Sequence, residues 1–141
     1  MDSPDIFTHL HVHSQYSILD GMAPVGKLVD KAIANGQRAM ALTDHGNMFG
    51  IKEFINYVNK VNSGKEPAER FKPIIGCEMY VAPETMYNKR GRQDHKAYHL
   101  IVLAKNLNGY HNLIKLVSRA YTEGFYYRPR TEHKELEKYH E

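Results

Sequence analysis

The chain contains a single cysteine, Cys77, and no tryptophan, and it lacks any long apolar run. One cysteine cannot form an internal disulfide, which is typical of proteins kept in a reducing cytoplasm. No stretch approaches the roughly 20 apolar residues that span a bilayer, and the acidic segment 1–5 does not resemble a secretory signal. We therefore expect a cytoplasmic protein with no membrane partner.

A strong excess of positive charge is also missing, because 19 Lys and Arg residues stand against 16 Asp and Glu residues. Proteins that bind nucleic acid mainly by electrostatics are usually far more basic, so the charge alone does not indicate such a protein. Histidine is what the sequence has in abundance, with 9 residues in 141. Imidazole is the commonest metal ligand in proteins, and the composition therefore points toward metal binding.

Hydrophobic periodicity predicts an alternation of strands and helices. Strands are predicted over residues 6–12, 38–43, 72–82 and 97–104. Helices are predicted over residues 23–36, 49–64 and 109–124, and from an N-cap at Thr131 onward. The polar, basic segment 83–96 is predicted to be a loop or hairpin tip. This alternation indicates an α/β fold with a mainly parallel sheet and outer helices.

The last predicted helix is followed by no further strand, whereas a complete (β/α) barrel needs about 250 residues. We therefore expect residues 1–141 to be a single partial domain, the front part of a larger barrel. Such an incomplete barrel would expose sheet edges and apolar surface, and so favour self-association.

Side chains that can bind metals follow or close the predicted strands. They are His11, His13, Asp20, Asp44, His45, Glu78 and His99. In parallel α/β folds, functional sites lie at the carboxyl ends of strands. Most of these residues belong to that end of the predicted sheet, and we expect them to lie close together.

Each of these residues also has an ordinary structural interpretation. A lone histidine on a strand is more often a hydrogen-bonded core residue, which is the interpretation we favour for His9 and leave open for His99. Asp20 precedes a glycine and could mark a turn, and the segment 44–46 could cap the next helix. Glu78 could be an ion-pair partner. Only their joint placement favours a shared site.

Mixed imidazole and carboxylate ligands suit Zn²⁺, Mn²⁺ or Fe²⁺ better than Ca²⁺. Several histidines with a carboxylate able to bridge indicate more than one ion. Two ions a few Å apart can activate a water molecule and clamp the attacking and leaving oxygens of a phosphoester displacement. The residues alone thus predict metal-assisted hydrolysis, with a phosphate ester as the expected substrate.

Other features have simpler interpretations. Cys77 has the opposite strand parity to Glu78 and is predicted to lie in the core. The segment FYYRPR, 125–130, mixes aromatic and arginine residues as single-strand binders do, although a loop packed by its own tyrosines is the interpretation we favour. The basic segment NKRGR, 88–92, is predicted to be a solvated loop that could touch a phosphate backbone.

Four stretches resemble a known family. HLHVHS, 9–14, is similar to the first motif of the PHP (polymerase and histidinol phosphatase) superfamily, and TDHG, 43–46, to its second. GCEMYV, 76–81, resembles the segment that carries a bridging carboxylate. Together with NLNGYHNLIKLVSRAY, 106–121, they resemble the branch found at the N-terminus of bacterial DNA polymerase III alpha subunits.

This resemblance implies the front part of a distorted (β/α)7 barrel that holds two or three divalent ions of Zn, Mn or Fe. The implied metal ligands are His11, His13, Asp20, His45, Glu78 and His99. Of these, His13, Asp20 and Glu78 are the implied catalytic residues, with Glu78 as the bridge. Further family ligands, on a cysteine-containing strand and in a late Asp-x-His motif, are not in this sequence. We therefore expect no robust catalysis from residues 1–141 alone.

The implied function is that of a DNA-directed DNA polymerase whose PHP domain is a metal-dependent phosphoesterase with 3′–5′ exonuclease activity. The alternative is a metal-stabilised scaffold that supports the polymerase core and docks a proofreading subunit. A free-standing phosphatase for a small ester is disfavoured by segment 106–121. The implied partners are DNA, the rest of the polymerase chain and other replisome subunits.

Overall fold

The computed structural model describes residues 7–140. Five helices run over Val25–Ala34 (α1), Ile51–Val61 (α2), Arg92–His95 (α3), Leu107–Thr122 (α4) and His133–Tyr139 (α5), with a 3₁₀ turn at Pro67–Glu69. Four strands run over Ala39–Leu42 (β1), Lys72–Val81 (β2), Tyr98–Leu103 (β3) and Arg130–Thr131 (β4). The predicted α/β class is confirmed, with helices flanking one sheet.

Strand β2 organises the sheet. β1 pairs in parallel with its first half, from Ala39 opposite Lys72 to Leu42 opposite Ile75. β4 pairs in parallel with its last two residues, whereas β3 pairs antiparallel along Gly76–Val81. Of the two interpretations left open for segment 83–96, a loop or a hairpin tip, the structure shows the hairpin tip, and it contains the short helix α3.

Two apolar clusters fix the helices on this sheet. Helices α1 and α2 bury Val29, Phe54 and Val58 against β1 residues such as Leu42. Helix α4 packs on β2, where Cys77 is fully buried among leucines of the helix. The core position predicted for Cys77 is confirmed, and burial raises the pKa of its thiol to about 12, with a further contribution from the negative charges of Asp44 and Glu78.

The predicted first strand is largely absent. Ile6 lies outside the described residues, and residues 7–13 form only one parallel bridge, between His9 and Met40. Regular pairing does not continue past His9: the amide of Ala41 donates to the carbonyl of His9 at 2.8 Å, but the amide of Thr43 donates to the carbonyl of Val12, at 2.9 Å, where a regular parallel ladder would use that of His11. At the other end of the chain, Thr131 belongs to β4 and the N-cap of α5 is Glu132, not Thr131.

The antiparallel direction of β3 decides where His99 lies. His99 is the second residue of β3. If β3 ran parallel to β2, His99 would lie at the opposite end of the sheet from the carboxyl end of β2. Because β3 runs the opposite way, His99 pairs with Tyr80, close to the carboxyl end of β2. None of the helices within residues 7–140 is long and apolar enough to cross a bilayer.

Candidate metal centre

Glu78 lies at the middle of the cluster that the sequence predicts. Its side chain is 1% exposed, yet each carboxylate oxygen faces two imidazoles. Oε2 lies 2.6 Å from Nε2 of His11 and 2.8 Å from Nε2 of His13. Oε1 lies 2.9 Å from Nδ1 of His45 and 2.5 Å from Nδ1 of His99. This is the arrangement expected of a carboxylate that bridges two ions.

Asp20 approaches the same cluster from the solvent side, with 57% of its side chain exposed. Its Oδ2 lies 2.7 Å from Nδ1 of His13 and 3.0 Å from Nε2 of His45. These are the ring nitrogens of the two histidines that do not face Glu78. Asp20 can therefore bind an ion beside them, or accept their N–H groups and so fix the orientation of both rings.

The donor atoms form three overlapping groups, each with all its atoms within 4.8 Å: His11, His13 and Glu78; His13, Asp20 and His45; His45, Glu78 and His99. The first and third groups share only Glu78, and they use different oxygens of it. Two ions can therefore occupy these groups together without any imidazole having to bind through both nitrogens.

The chemistry of these donors fits a metal. Nε2 of His11 lies 3.0 Å from Nε2 of His13, so two atoms that both carry a lone pair in the metal-binding tautomer converge on one point. Imidazole and carboxylate together suit Zn²⁺, Mn²⁺ or Fe²⁺. All six predicted ligand residues lie in this one cluster, and their role as ligands remains a prediction.

The two carboxylates are held in the charged form that a metal requires. Burial alone would raise the pKa of Glu78, but hydrogen bonds from His11 and His13 and the charges of His45 and His99 keep it below its usual value. The pKa of Asp20 is also lowered, first by its hydrogen bond with His13 and then by that with His45. Both groups are therefore anionic at neutral pH, and no proton has to leave them when an ion binds.

Asp44, which the sequence offered as one more possible metal ligand, belongs to none of the described donor groups and has another role. Its buried carboxylate accepts hydrogen bonds from the amide of Ser14 (2.6 Å), the hydroxyl of Ser14 (2.8 Å) and the hydroxyl of Ser17 (2.7 Å). The hydroxyl of Ser17 in turn accepts the amide of His45 at 3.0 Å. Asp44 thus ties the loop after His13 to the turn that carries His45. Two serines three positions apart, Ser14 at the end of the first motif and Ser17 after it, were the available signal.

Asp44→Asn should destabilise the fold by about 2 kcal/mol, because the amide nitrogen cannot accept the hydrogen bonds that one carboxylate oxygen accepts. It should also lower metal affinity, since the loop carrying Asp20 is no longer held. Urea unfolding and metal titration test this. Asp30→Asn is the matched control, because Asp30 accepts a hydroxyl hydrogen bond from Tyr57 on the exposed surface. Equal effects of both variants would contradict the prediction.

Gly46 follows His45 at the point where the chain turns back. Its φ of +61° lies in the left-handed region, and its amide donates to the carbonyl of Glu78 at 2.8 Å. A Cβ at this position would lie 2.8 Å from Pro129 and 2.9 Å from the ring of Tyr80. Glycine is therefore required both by backbone conformation and by close packing.

Gly46→Ala should destabilise the chain by about 2 kcal/mol more than Gly36→Ala, because overpacking adds to the conformational cost. Gly36 is the matched control, since its φ is +76° and no atom lies within 4 Å of a Cβ placed there. Chemical denaturation of both variants measures the difference. Equal losses would mean that the contacts with Pro129 and Tyr80 relax without cost.

Several other histidines stay outside the cluster. His9 is exposed and packs edge-on against Phe7, so the core position that we favoured for it is wrong. No described metal-binding group contains the remaining four, which are His95, His111, His133 and His140.

Comparison with protein families and with curated proteins gives a consistent result. Residues 9–141 match the model of the PHP domain. The chain is 54% identical over 130 residues to DNA polymerase III subunit alpha of Treponema pallidum, covering 89% of this chain and 10% of that protein.

Two further relatives carry the same name. The protein from Borreliella burgdorferi is 48% identical over 136 residues, covering 96% of this chain and 11% of the relative. The protein from Thermus aquaticus is 47% identical over 128 residues, covering 88% and 10%. The chain thus spans about a tenth of the length of the curated relatives that it matches.

Proposed function

Since the chain belongs to the PHP domain family, we propose that its cluster is a multinuclear metal-dependent phosphoesterase site that acts on the 3′ ends of DNA. We further propose that the chain is the N-terminal part of a bacterial DNA polymerase III alpha subunit. The single observation that supports the site most strongly is the convergence of four imidazoles on the two oxygens of the buried Glu78.

The proposed ligands divide into two groups around Glu78. His11 and His13 with Oε2 would hold one ion, and His45 and His99 with Oε1 would hold a second. Asp20 would complete a third position or orient His13 and His45 by accepting their N–H groups. Zn²⁺, Mn²⁺ and Fe²⁺ are the ions that this donor set suits.

When bound, such ions lower the pKa of water and neutralise charge on a phosphoryl group. The protein's own residues would position that chemistry. Glu78 is nearly inaccessible and is held between strand β3 on one side and a bridge to His45 on the other, so it fixes the separation of the two histidine groups. His13 lies in contact with both carboxylates, while the exposed and ionised Asp20 stands at the mouth of the site. These contacts give His13, Asp20 and Glu78 their proposed catalytic roles.

The proposed partners follow from the polymerase assignment. They are DNA, the remainder of the polymerase chain, and other replisome subunits, including a separate proofreading exonuclease. The cytoplasm, where bacterial DNA is copied, is the proposed location.

One observation favours a second candidate, in which bound metal only stabilises a scaffold. The six residues come from the loop 11–20, the turn at His45, strand β2 and strand β3. An ion at this point would cross-link segments that are distant in sequence, and such binding energy becomes folding energy.

The test uses the full-length protein that carries this sequence. Metal content is measured by elemental analysis, and 3′–5′ exonuclease activity is measured on labelled DNA before and after chelation. Activity that is lost in His13→Ala while thermal unfolding stays cooperative supports the phosphoesterase. Metal binding with full stability but no activity on DNA would favour the scaffold, and absence of metal would overturn both.

A further inference from the structure

The two arginines of the segment YRPR, 127–130, have opposite environments. Arg130 is fully buried, whereas Arg128 is exposed. The guanidinium carbon of Arg128 lies 5.0 Å from the centre of the Tyr80 ring. Within residues 7–140, no carboxylate forms an ion pair with it. Arg128 therefore carries a positive charge that nothing in this part of the chain neutralises.

Tyr80 links that charge to the metal centre, because its ring contacts both. Its ring is nearly parallel to that of His45, at 9° and 6.2 Å between centres, and meets His99 edge-on at 5.1 Å. Arg128 and two of the proposed ligands, His45 and His99, thus contact the same aromatic ring. Burial raises the pKa of Tyr80, with the charge of Arg128 opposing this, so the ring stays neutral below alkaline pH.

The backbone that carries Arg128 is anchored by its neighbours, so it does not have to fold when a ligand binds. Tyr127 adopts a left-handed conformation, with φ of +59°. Pro129 fixes its own φ and packs against Gly46 of the turn that follows His45. The guanidinium of Arg130 anchors the chain by donating to the backbone carbonyls of Gly124 and Met86. A preorganised cation at a site loses little conformational entropy on binding an anion.

We propose that Arg128, supported on the face of Tyr80, is a phosphate subsite of the metal centre. It would hold non-bridging oxygens of a phosphate group that lies at or next to the ions. The guanidinium fork matches two phosphate oxygens in a way that an ammonium group does not. This inference rests on the proposed function, because it assigns the charge to the phosphate of that same substrate.

The experiment measures binding separately from catalysis. Inorganic phosphate and a short oligothymidylate are titrated by calorimetry into the full-length protein that carries this sequence, with metal content measured in each sample. Arg128→Gln should weaken binding of both probes about tenfold or more at unchanged metal content and melting temperature. Arg128→Lys, which keeps the charge but not the fork, should fall between Arg128→Gln and the parent protein.

Arg70→Gln is the matched control. Arg70 is also an exposed arginine, but it precedes the first residue of β2, at the opposite end of the strand from Tyr80. The Arg70→Gln variant should bind both probes with the affinity of the parent protein. The proposed subsite is wrong if Arg128→Gln binds phosphate as tightly as the parent protein does, or if Arg70→Gln loses as much affinity for the probes as Arg128→Gln. It is also wrong if the metal-loaded parent protein binds neither probe.

The outcomes also separate this inference from the proposed function. A parent protein that holds metal and cleaves DNA, together with an unaffected Arg128→Gln, would leave the phosphoesterase standing without this subsite. A parent protein that binds phosphate through Arg128 but holds no metal and cleaves no DNA would support the phosphate subsite and overturn the phosphoesterase.

Discussion

Glu78→Gln is expected to lower metal affinity by at least about a hundredfold. Removing a residue that only orients metal ligands already lowers metal affinity ten- to hundredfold, and Glu78 is proposed to bind the ions directly. The amide keeps the size of the side chain but loses its charge, and it can present only one oxygen to the two imidazole pairs. Metal titration monitored by calorimetry, and the rise in melting temperature on adding Zn²⁺ or Mn²⁺, measure the loss.

Glu84→Gln serves as the control for this change. Glu84 is 68% exposed and forms a surface ion pair with Arg90, a kind of contact that contributes about 0–1 kcal/mol. It should bind metal as the parent protein does. Metal affinity that is preserved in Glu78→Gln would remove the bridging carboxylate from the site, and the four histidines would need another explanation.

The position of Glu78 is also where the sequence was most informative. Residues 72–82 read as one strand, and alternation along a strand separates Cys77 from Glu78. The structure places Cys77 under α4 and Glu78 among the histidines. Side chains alternate between the two faces of a strand whatever packs on them, so the opposite faces of Cys77 and Glu78 could be predicted from the local sequence alone.

The segment around His11 could not be predicted as well, because its conformation depends on residues far along the chain. The alternation of residues 6–12 favoured a strand, but the amide of Thr43 donates to the carbonyl of Val12 and not to that of His11, so the pairing with β1 loses its register after His9. His99 shows the same limit. Its strand was recognised, but only the hairpin through segment 83–96 gives β3 the antiparallel direction that brings His99 to Glu78.

The role of Asp44 was hidden for a related reason. An aspartate before a histidine and a glycine is compatible with a turn, and nothing local distinguishes a capping carboxylate from a buried one. Its partners Ser14 and Ser17 lie 30 and 27 positions away. Such a network can be identified only when the fold brings both loops together.

Arg130 is the clearest case of a residue whose role is visible only in the fold. The segment FYYRPR mixes arginine and aromatic residues, which is also typical of single-strand binders. The guanidinium of Arg130 is instead buried and donates to the carbonyls of Gly124 (3.1 Å), Asp94 (2.7 Å), Met86 (2.8 Å) and Asn88 (2.9 Å). It thus joins the end of α4 to the hairpin between β2 and β3, with Tyr126 packed against it.

Arg130→Met should therefore destabilise the protein by about 3–5 kcal/mol, because four carbonyls lose their charged donor inside the structure. Arg130→Lys should recover only part of this loss, since an ammonium group has three donors and lacks the planar fork. Urea unfolding measures both variants.

Arg128→Met is the control, because its exposed contact with Tyr80 contributes about 0.5–1 kcal/mol. If Arg130→Met were no more destabilising than Arg128→Met, the hairpin would be held by its other contacts, such as those of Glu132 with Thr85 and Met86. The rigid support argued for Arg128 would then have to come from Pro129 alone.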